Sequence, residues 1–253
     1  TGLARLHAQV PVDRRVSRLV ATKKGNNVAE KVTIGNAELW HGDCREILPT
    51  LPECDLILTD PPYGIGVCNR SDGGVGSIAS GSKVYGREQW DKEAPPAWLF
   101  GLMQEQARWL IIWGGNYYDL PPSQCWLAWD KGQRDFTFAD GELAWTNLEK
   151  AVRFLTVPRG ELVAEGKDHP TQKPLRLMEW CLAHAPKAVT VCDPFMGSGT
   201  TGVACANLGK AFTGIERERK YFDIACERIS RAQAQGTLLT PEKPPEPVQE
   251  GLL

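Results

Sequence analysis

From residue 37 to residue 235 the chain alternates two patterns that together leave few folds open. Short apolar runs, each stopped by turn-forming residues, fall at Ala37–His41, Asp55–Thr59, Trp109–Trp113, Cys125–Trp129, Ala188–Cys192 and Ala211–Ile215, and Phe136–Trp145 holds one more. Runs of this length read as strands. Between them, Leu99–Trp109, Leu175–Ala185, Thr200–Leu208 and Lys220–Gln235 carry helical spacing, and Arg45–Leu51 reads as a short helical turn. Strands that alternate with helices on short connections predict an α/β sandwich around a mostly parallel central sheet.

A chain of 253 residues has room for one sizeable domain with tails. The expected core spans residues 32–236. It is preceded by a basic arm, residues 1–31, and followed by an acidic, proline-rich disordered tail, residues 237–253, that reads TLLTPEKPPEPVQEGLL from Thr237. A net charge of -2 excludes nucleic-acid binding by bulk charge alone. No run approaches the length of a membrane span, and no apolar stretch with a cleavage site marks a secretory signal, so an intracellular, cytoplasmic protein is expected. The eight cysteines include no C-x-x-C pair and several lie in apolar segments, which predicts buried thiols. The four histidines show no ligand spacing, and no metal site is expected.

The strand Asp55–Thr59 runs into Asp60-Pro61-Pro62-Tyr63. Prolines end strands, because they lack the amide donor and have a fixed φ. That explains Pro61 and Pro62 but neither the acid nor the ring. Residues 64–92, crowded with Gly, Ser and Asn, then form a long loop of the mobile or functional kind.

A second strand, Ala188–Cys192, runs into Asp193-Pro194-Phe195-Met196-Gly197-Ser198-Gly199-Thr200-Thr201-Gly202 and then a helix. Glycines at a strand-to-helix turn let the backbone approach a ligand, and the helix amides attract an anion. This marks a cofactor loop. It also satisfies G-x-G-x-x-G, with Glu216 ending the next strand, so a nicotinamide-dependent oxidoreductase is a rival reading. No Lys-Ser/Thr pair follows the glycines, which excludes a P-loop.

Together, the two strand ends resemble motifs IV and I of the S-adenosylmethionine-dependent amino-methyltransferases of DNA. The resemblance extends to Gly42-Asp43-Cys44, His169-Pro170-Thr171-Gln172-Lys173-Pro174 and Gly214-Ile215-Glu216, and covers most of residues 37–229. With the catalytic motif first and the cofactor loop last, it is similar to the β class of that family. The fold so implied is a Rossmann-like methyltransferase sandwich with circularly permuted motif order.

The resemblance implies roles residue by residue. Asp60 and the Pro61 carbonyl would accept the hydrogens of a target amine, Pro62 would help fix that carbonyl, and Tyr63 would stack on a flipped base. S-adenosylmethionine would lie against Gly197, Ser198, Gly199, Thr200 and Thr201, with Phe195 beside it and Asp193 shaping the site. Glu216 would accept ribose hydroxyls, Asp43 would bind the adenine amine beside Cys44, and His169, Thr171, Gln172 and Lys173 would close over the amino-acid end. Each has a plainer reading: Asp43 as a helix N-cap, Glu216 as a surface acid, residues 169–174 as a turn.

An Asp at the first position of the catalytic motif implies adenine N6 as the target, since cytosine N4 enzymes of similar layout commonly carry Ser there; cytosine N4 is the alternative, because the two chemistries share geometry. Duplex DNA is the implied partner, a homodimer the implied assembly, and a prokaryotic or phage-encoded restriction-modification setting the implied context. Recognition would fall to residues 146–168, with Lys150, Arg153, Arg159 and Lys167, and to Arg70, Lys83 and Arg87 of the long loop. A catalytically silent DNA-binding module that keeps the fold is the other rival.

Overall fold

The structure is a computed structural model, and it describes residues 16–20, 29–64, 93–134, 139–158 and 172–239. Ten strands form one sheet: β1 (Val16–Val20), β2 (Glu30–Ile34), β3 (Ala37–His41), β4 (Cys54–Thr59), β5 (Ala107–Trp113), β6 (Trp126–Asp130), β7 (Gly141–Thr146), β8 (Arg153–Thr156), β9 (Thr190–Asp193) and β10 (Ala211–Glu216). Their spatial order is β1-β2-β3-β10-β9-β4-β5-β7-β6-β8. The five central strands, β3 to β5 in that order, run parallel, and antiparallel pairs extend the sheet on both sides.

Helices α1 (Cys44–Ile47), α2 (Ala97–Gln106), α3 (Leu175–His184), α4 (Thr200–Asn207) and α5 (Arg219–Leu239) accompany this sheet. The apolar runs are continuous because both faces of the sheet are covered. Leu56, Leu58, Ile111 and Trp113 pack into one core with Leu177 of α3, Cys205 of α4 and Ile229 of α5. Their neighbours Ile57, Leu110 and Ile112 point the other way, into a second core with Ile47 of α1 and Leu99 and Met103 of α2.

Strands β4 and β9 lie side by side although they are more than 130 residues apart in sequence. Asp55 pins them: its Oδ2 accepts the amides of Val189 and Thr190, each at 2.8 Å, and the Thr190 hydroxyl at 2.9 Å. From β4 the chain moves outward to β5, whereas from β9 it moves the opposite way to β10. Connections that diverge at neighbouring parallel strands open a crevice at their C-terminal ends, where ligands of such sheets bind. Both motifs read from the sequence emerge there.

Several features differ from the sequence reading. Helix α5 runs through Leu239, into the expected tail. Val16–Val20, inside the expected basic arm, pairs with β2, itself begun at Glu30, so the sheet starts before residue 32. Residues 153–156, within the expected recognition region, form strand β8, paired in parallel with β6. Strand β5 follows α2 with no connecting loop, beginning at Ala107 rather than Trp109.

Candidate active site

The crevice is a cavity of about 350 Å³. Both strand ends contribute to its wall, with Asp60 and Pro62 from β4 and Asp193, Phe195 and Gly197 from β9. Glu216, at the end of β10, and Asp43, after β3, line it as well.

On the β9 side the loop is held by buried polar contacts. Asp193 accepts the Thr59 hydroxyl at 2.7 Å, the Thr201 hydroxyl at 2.7 Å and the Phe195 amide at 3.1 Å. Burial nonetheless pushes its carboxyl up to about 6. Glu216 accepts the Gly197 amide at 3.0 Å through one oxygen and the Glu218 amide at 2.7 Å through the other. Burial, opposed by those two amides, pushes it up to about 7. Asp43 caps α1, accepting the Arg45 amide at 2.9 Å, and the Arg45 side chain beside it holds its carboxyl below the usual range.

On the β4 side five ionisable groups meet. Asp60 accepts the Tyr63 hydroxyl on Oδ1 at 2.8 Å and the Lys173 ammonium on Oδ2 at 2.5 Å. Lys173 also reaches Oε2 of Glu142 at 3.0 Å, and Oε1 of Glu142 pairs with Lys131 at 2.7 Å. Burial and then Glu142 push the Asp60 carboxyl up, against the pull of Lys173. Burial opposes the charge on Glu142 too, but the ammonium groups of Lys173 and Lys131 outweigh it and hold that carboxyl at about 2. Burial likewise opposes the charge on Lys173, and its two carboxylates outweigh it, holding the ammonium above its ordinary range.

The aromatic part of the motif is equally fixed. Tyr118 donates its hydroxyl to the Pro61 carbonyl at 2.9 Å, while Tyr63 stacks on Tyr117 with centroids 4.9 Å apart and planes 19° apart. Gly114, at φ 70, closes β5 against this ring, and a Cβ built there would stand inside it.

The chain is similar to known proteins in sequence and in fold. A family model described as DNA methylase, of the N6/N4 type, matches residues 103–227. Type II methyltransferase M2.LlaDCHI of Lactococcus lactis subsp. cremoris is 44% identical over 259 residues, covering 79% of this chain and 92% of that protein. The chain belongs to the N6/N4 DNA methylase family. Type II methyltransferase M.HinfI of Haemophilus influenzae is 29% identical over 245 residues, covering 74% of this chain and 67% of its own. Among solved structures, the M1.HpyAVI–SAM complex matches with a TM-score of 0.51 at 26% identity, over 76% of this chain and 99% of that one.

Against this methylase fold, Asp43, Cys44, Asp60, Pro62, Gln172, Lys173, Asp193, Phe195, Gly197, Ser198, Thr200, Thr201 and Glu216 all line the cavity. Pro61 and Tyr63 are not among its lining residues; Tyr63 reaches it only through its hydrogen bond to Asp60. Cys44 presents a thiol that burial pushes up to about 12, and the seven cysteines among the described residues are free. Lys173, expected over the cofactor's amino-acid end, directs its ammonium to Asp60 and Glu142. Gly199, at φ 80, has a packing reason of its own: a Cβ there would press on Ala225 of α5.

Of the expected DNA contacts, Lys150 donates to the carbonyl of His184, the last residue of α3, at 2.7 Å. Arg153 is exposed at the start of β8. Arg70, Lys83, Arg87, Arg159, Lys167, His169 and Thr171 fall outside the described residues.

Sequence reasoning did not find Glu142, Lys131, Tyr117, Tyr118 or Arg228. Arg228 of α5 donates to the Ser198 carbonyl at 2.7 Å and hydroxyl at 2.9 Å, fixing the glycine loop. None of these residues lies in a motif. Only Tyr117 and Tyr118, which follow the Gly114-Gly115-Asn116 turn after β5, carried a signal, as adjacent aromatics at a strand end.

Proposed function

We propose that this protein is an S-adenosylmethionine-dependent DNA methyltransferase whose target is the N6 amine of adenine flipped out of duplex DNA. What carries the reading is one juxtaposition: the carboxylate of Asp60 and the glycine loop after β9 share one cavity. Neither rival accounts for it, since an oxidoreductase or a silent module gives Asp60–Tyr63 no task.

The cavity suits the methyl donor by its chemistry. Glu216 offers a carboxylate with free lone pairs beyond its two amides, as paired ribose hydroxyls require. Phe195 and Leu99 give apolar wall, and the size is that of a small-molecule pocket. When bound, S-adenosylmethionine supplies an electrophilic methyl group: a C–N bond forms at the amine as the C–S bond breaks, and a proton leaves the amine afterwards.

The protein's part is positioning. An exocyclic amine is a weak nucleophile because its lone pair is delocalised into the ring. Hydrogen-bond acceptors at Asp60 and at the Pro61 carbonyl localise that pair and aim it. The carbonyl keeps acceptor capacity beside the Tyr118 hydroxyl, which holds it in place. Tyr63, whose ring stacks on Tyr117 in the resting site, would exchange or share that contact with the flipped base, with stacking worth about 1–3 kcal/mol against an extrusion cost of about a few kcal/mol. Asp60 at the first position of the motif favours adenine over cytosine.

Methyl-labelled S-adenosylmethionine incubated with mixed-sequence duplex DNA, followed by digestion to nucleosides, tests the assignment. Label in N6-methyl-2′-deoxyadenosine is expected. Label in N4-methylcytosine would keep the geometry and overturn the base, and absence of label from DNA would overturn the function.

A further inference from the structure

Building on that reading of the site, we propose that Glu142 is a positioning residue. It receives the Tyr63 hydroxyl and retains Lys173 while Asp60 accepts the target amine. The need for such a residue follows from the resting geometry. Both oxygens of Asp60 already have donors, the Tyr63 hydroxyl at 2.8 Å and Lys173 at 2.5 Å. An amine that is to be held by Asp60 must displace or share one of them.

Each of those donors has Glu142 as its second choice. The Tyr63 hydroxyl stands 3.3 Å from Oε2 of Glu142, and Lys173 stands 3.0 Å from the same oxygen. A hydroxyl has one proton, so Tyr63 satisfies one carboxylate at a time. Turning the proton from Asp60 to Glu142 opens Oδ1 without leaving a buried donor unpaired, an omission that costs about 1–3 kcal/mol. Lys173 has three protons and stays between the two acids throughout. Lys131 holds the far oxygen of Glu142 at 2.7 Å and so fixes where the near one points.

The arrangement is hard to explain as stabilisation alone. Glu142 lies on β7, two strands from β4 in the sheet, and brings a carboxylate and two lysines together where apolar packing serves stability at least as well. The groups that face Asp60 are Lys173, Glu142, Tyr63 and, from the neighbouring strand, Asp193, with Tyr118 behind Tyr63. Among these, Glu142 alone is an acceptor in reach of both donors that Asp60 holds at rest.

The test is the pH dependence of single-turnover methyl transfer to DNA at saturating S-adenosylmethionine. Glu142→Gln is expected to lower the plateau by about tenfold or more, the size of one lost coupling in a buried network. It should at the same time move the acid limb to lower pH, because the like charge that raises the Asp60 carboxyl is gone and Lys173 is left with Asp60 as its ion-pair partner among the described residues. In a Tyr63→Phe background, where there is no hydroxyl to receive, Glu142→Gln should cost less than about threefold more. Glu142→Asp keeps the charge and is expected to keep the acid limb where the wild type has it. A plateau within about twofold of wild type, an acid limb that does not move, or full additivity with Tyr63→Phe would overturn the role of Glu142. Absence of transfer by the wild type would overturn the underlying function instead.

Discussion

At the scale of single residues, the site depends on carboxylates whose charge is decided by burial against a few donors. Glu216 shows it most simply. Its carboxyl stands at about 7 because burial outweighs the Glu218 and Gly197 amides. A raised carboxyl binds its proton more tightly in the folded chain, so below about pH 7 the group is protonated, and it ionises as pH rises. An ionised carboxylate accepts both ribose hydroxyls more strongly than the protonated form, one of whose oxygens carries a hydrogen. Affinity for S-adenosylmethionine should therefore rise from pH 6 to pH 8, by at most about tenfold per unit below that value. Glu216→Gln should abolish this slope, as calorimetric titration of both proteins over the range would show; equal slopes in the two would assign it to the ligand.

At the scale of elements, much of the architecture was legible and its edges were not. Strand β3 was read to the residue, β4 and β10 to within one residue at either end, and α3 and α4 to within one at their C-termini, because buried parallel strands and the helices over them carry unbroken apolar patterns. Strand β8 was hidden because three of its four residues are exposed, Phe154 at 74%, leaving no alternation to read. The motifs marked Asp60, Asp193 and Glu216, whereas Glu142 reaches the site through the pairing of β7 with β5, a relation that local pattern does not encode.

The contact between β4 and β9 through Thr59 and Asp193 makes its own prediction. Thr59→Val removes one hydroxyl from a buried carboxylate and should cost about 1–3 kcal/mol. The Asp193 carboxyl stands at about 6, raised from its unfolded value, so it is protonated in acid and charged above that point. Loss of the hydroxyl hurts the charged form, and the deficit in thermal midpoint should be larger at pH 8 than at pH 5. A deficit independent of pH would show that the bond matters only through packing.

At the scale of the whole molecule, the sheet brings together two strand ends that the chain keeps far apart, and the site exists only where they meet. Catalytic motif first and cofactor loop last is a matter of chain order, and adjacency in the sheet makes that order immaterial. The central claim is that Asp60 acts on the amine in the cavity that the β9 loop builds for the methyl donor. Single-turnover methyl transfer by Asp60→Asn, at S-adenosylmethionine concentrations shown to saturate it, tests this directly. The predicted result is a rate reduced by about 10²–10³, the loss expected for one preorganised polar group at a reacting centre, with affinity for S-adenosylmethionine unchanged. Transfer by Asp60→Asn within a few-fold of wild type would contradict it.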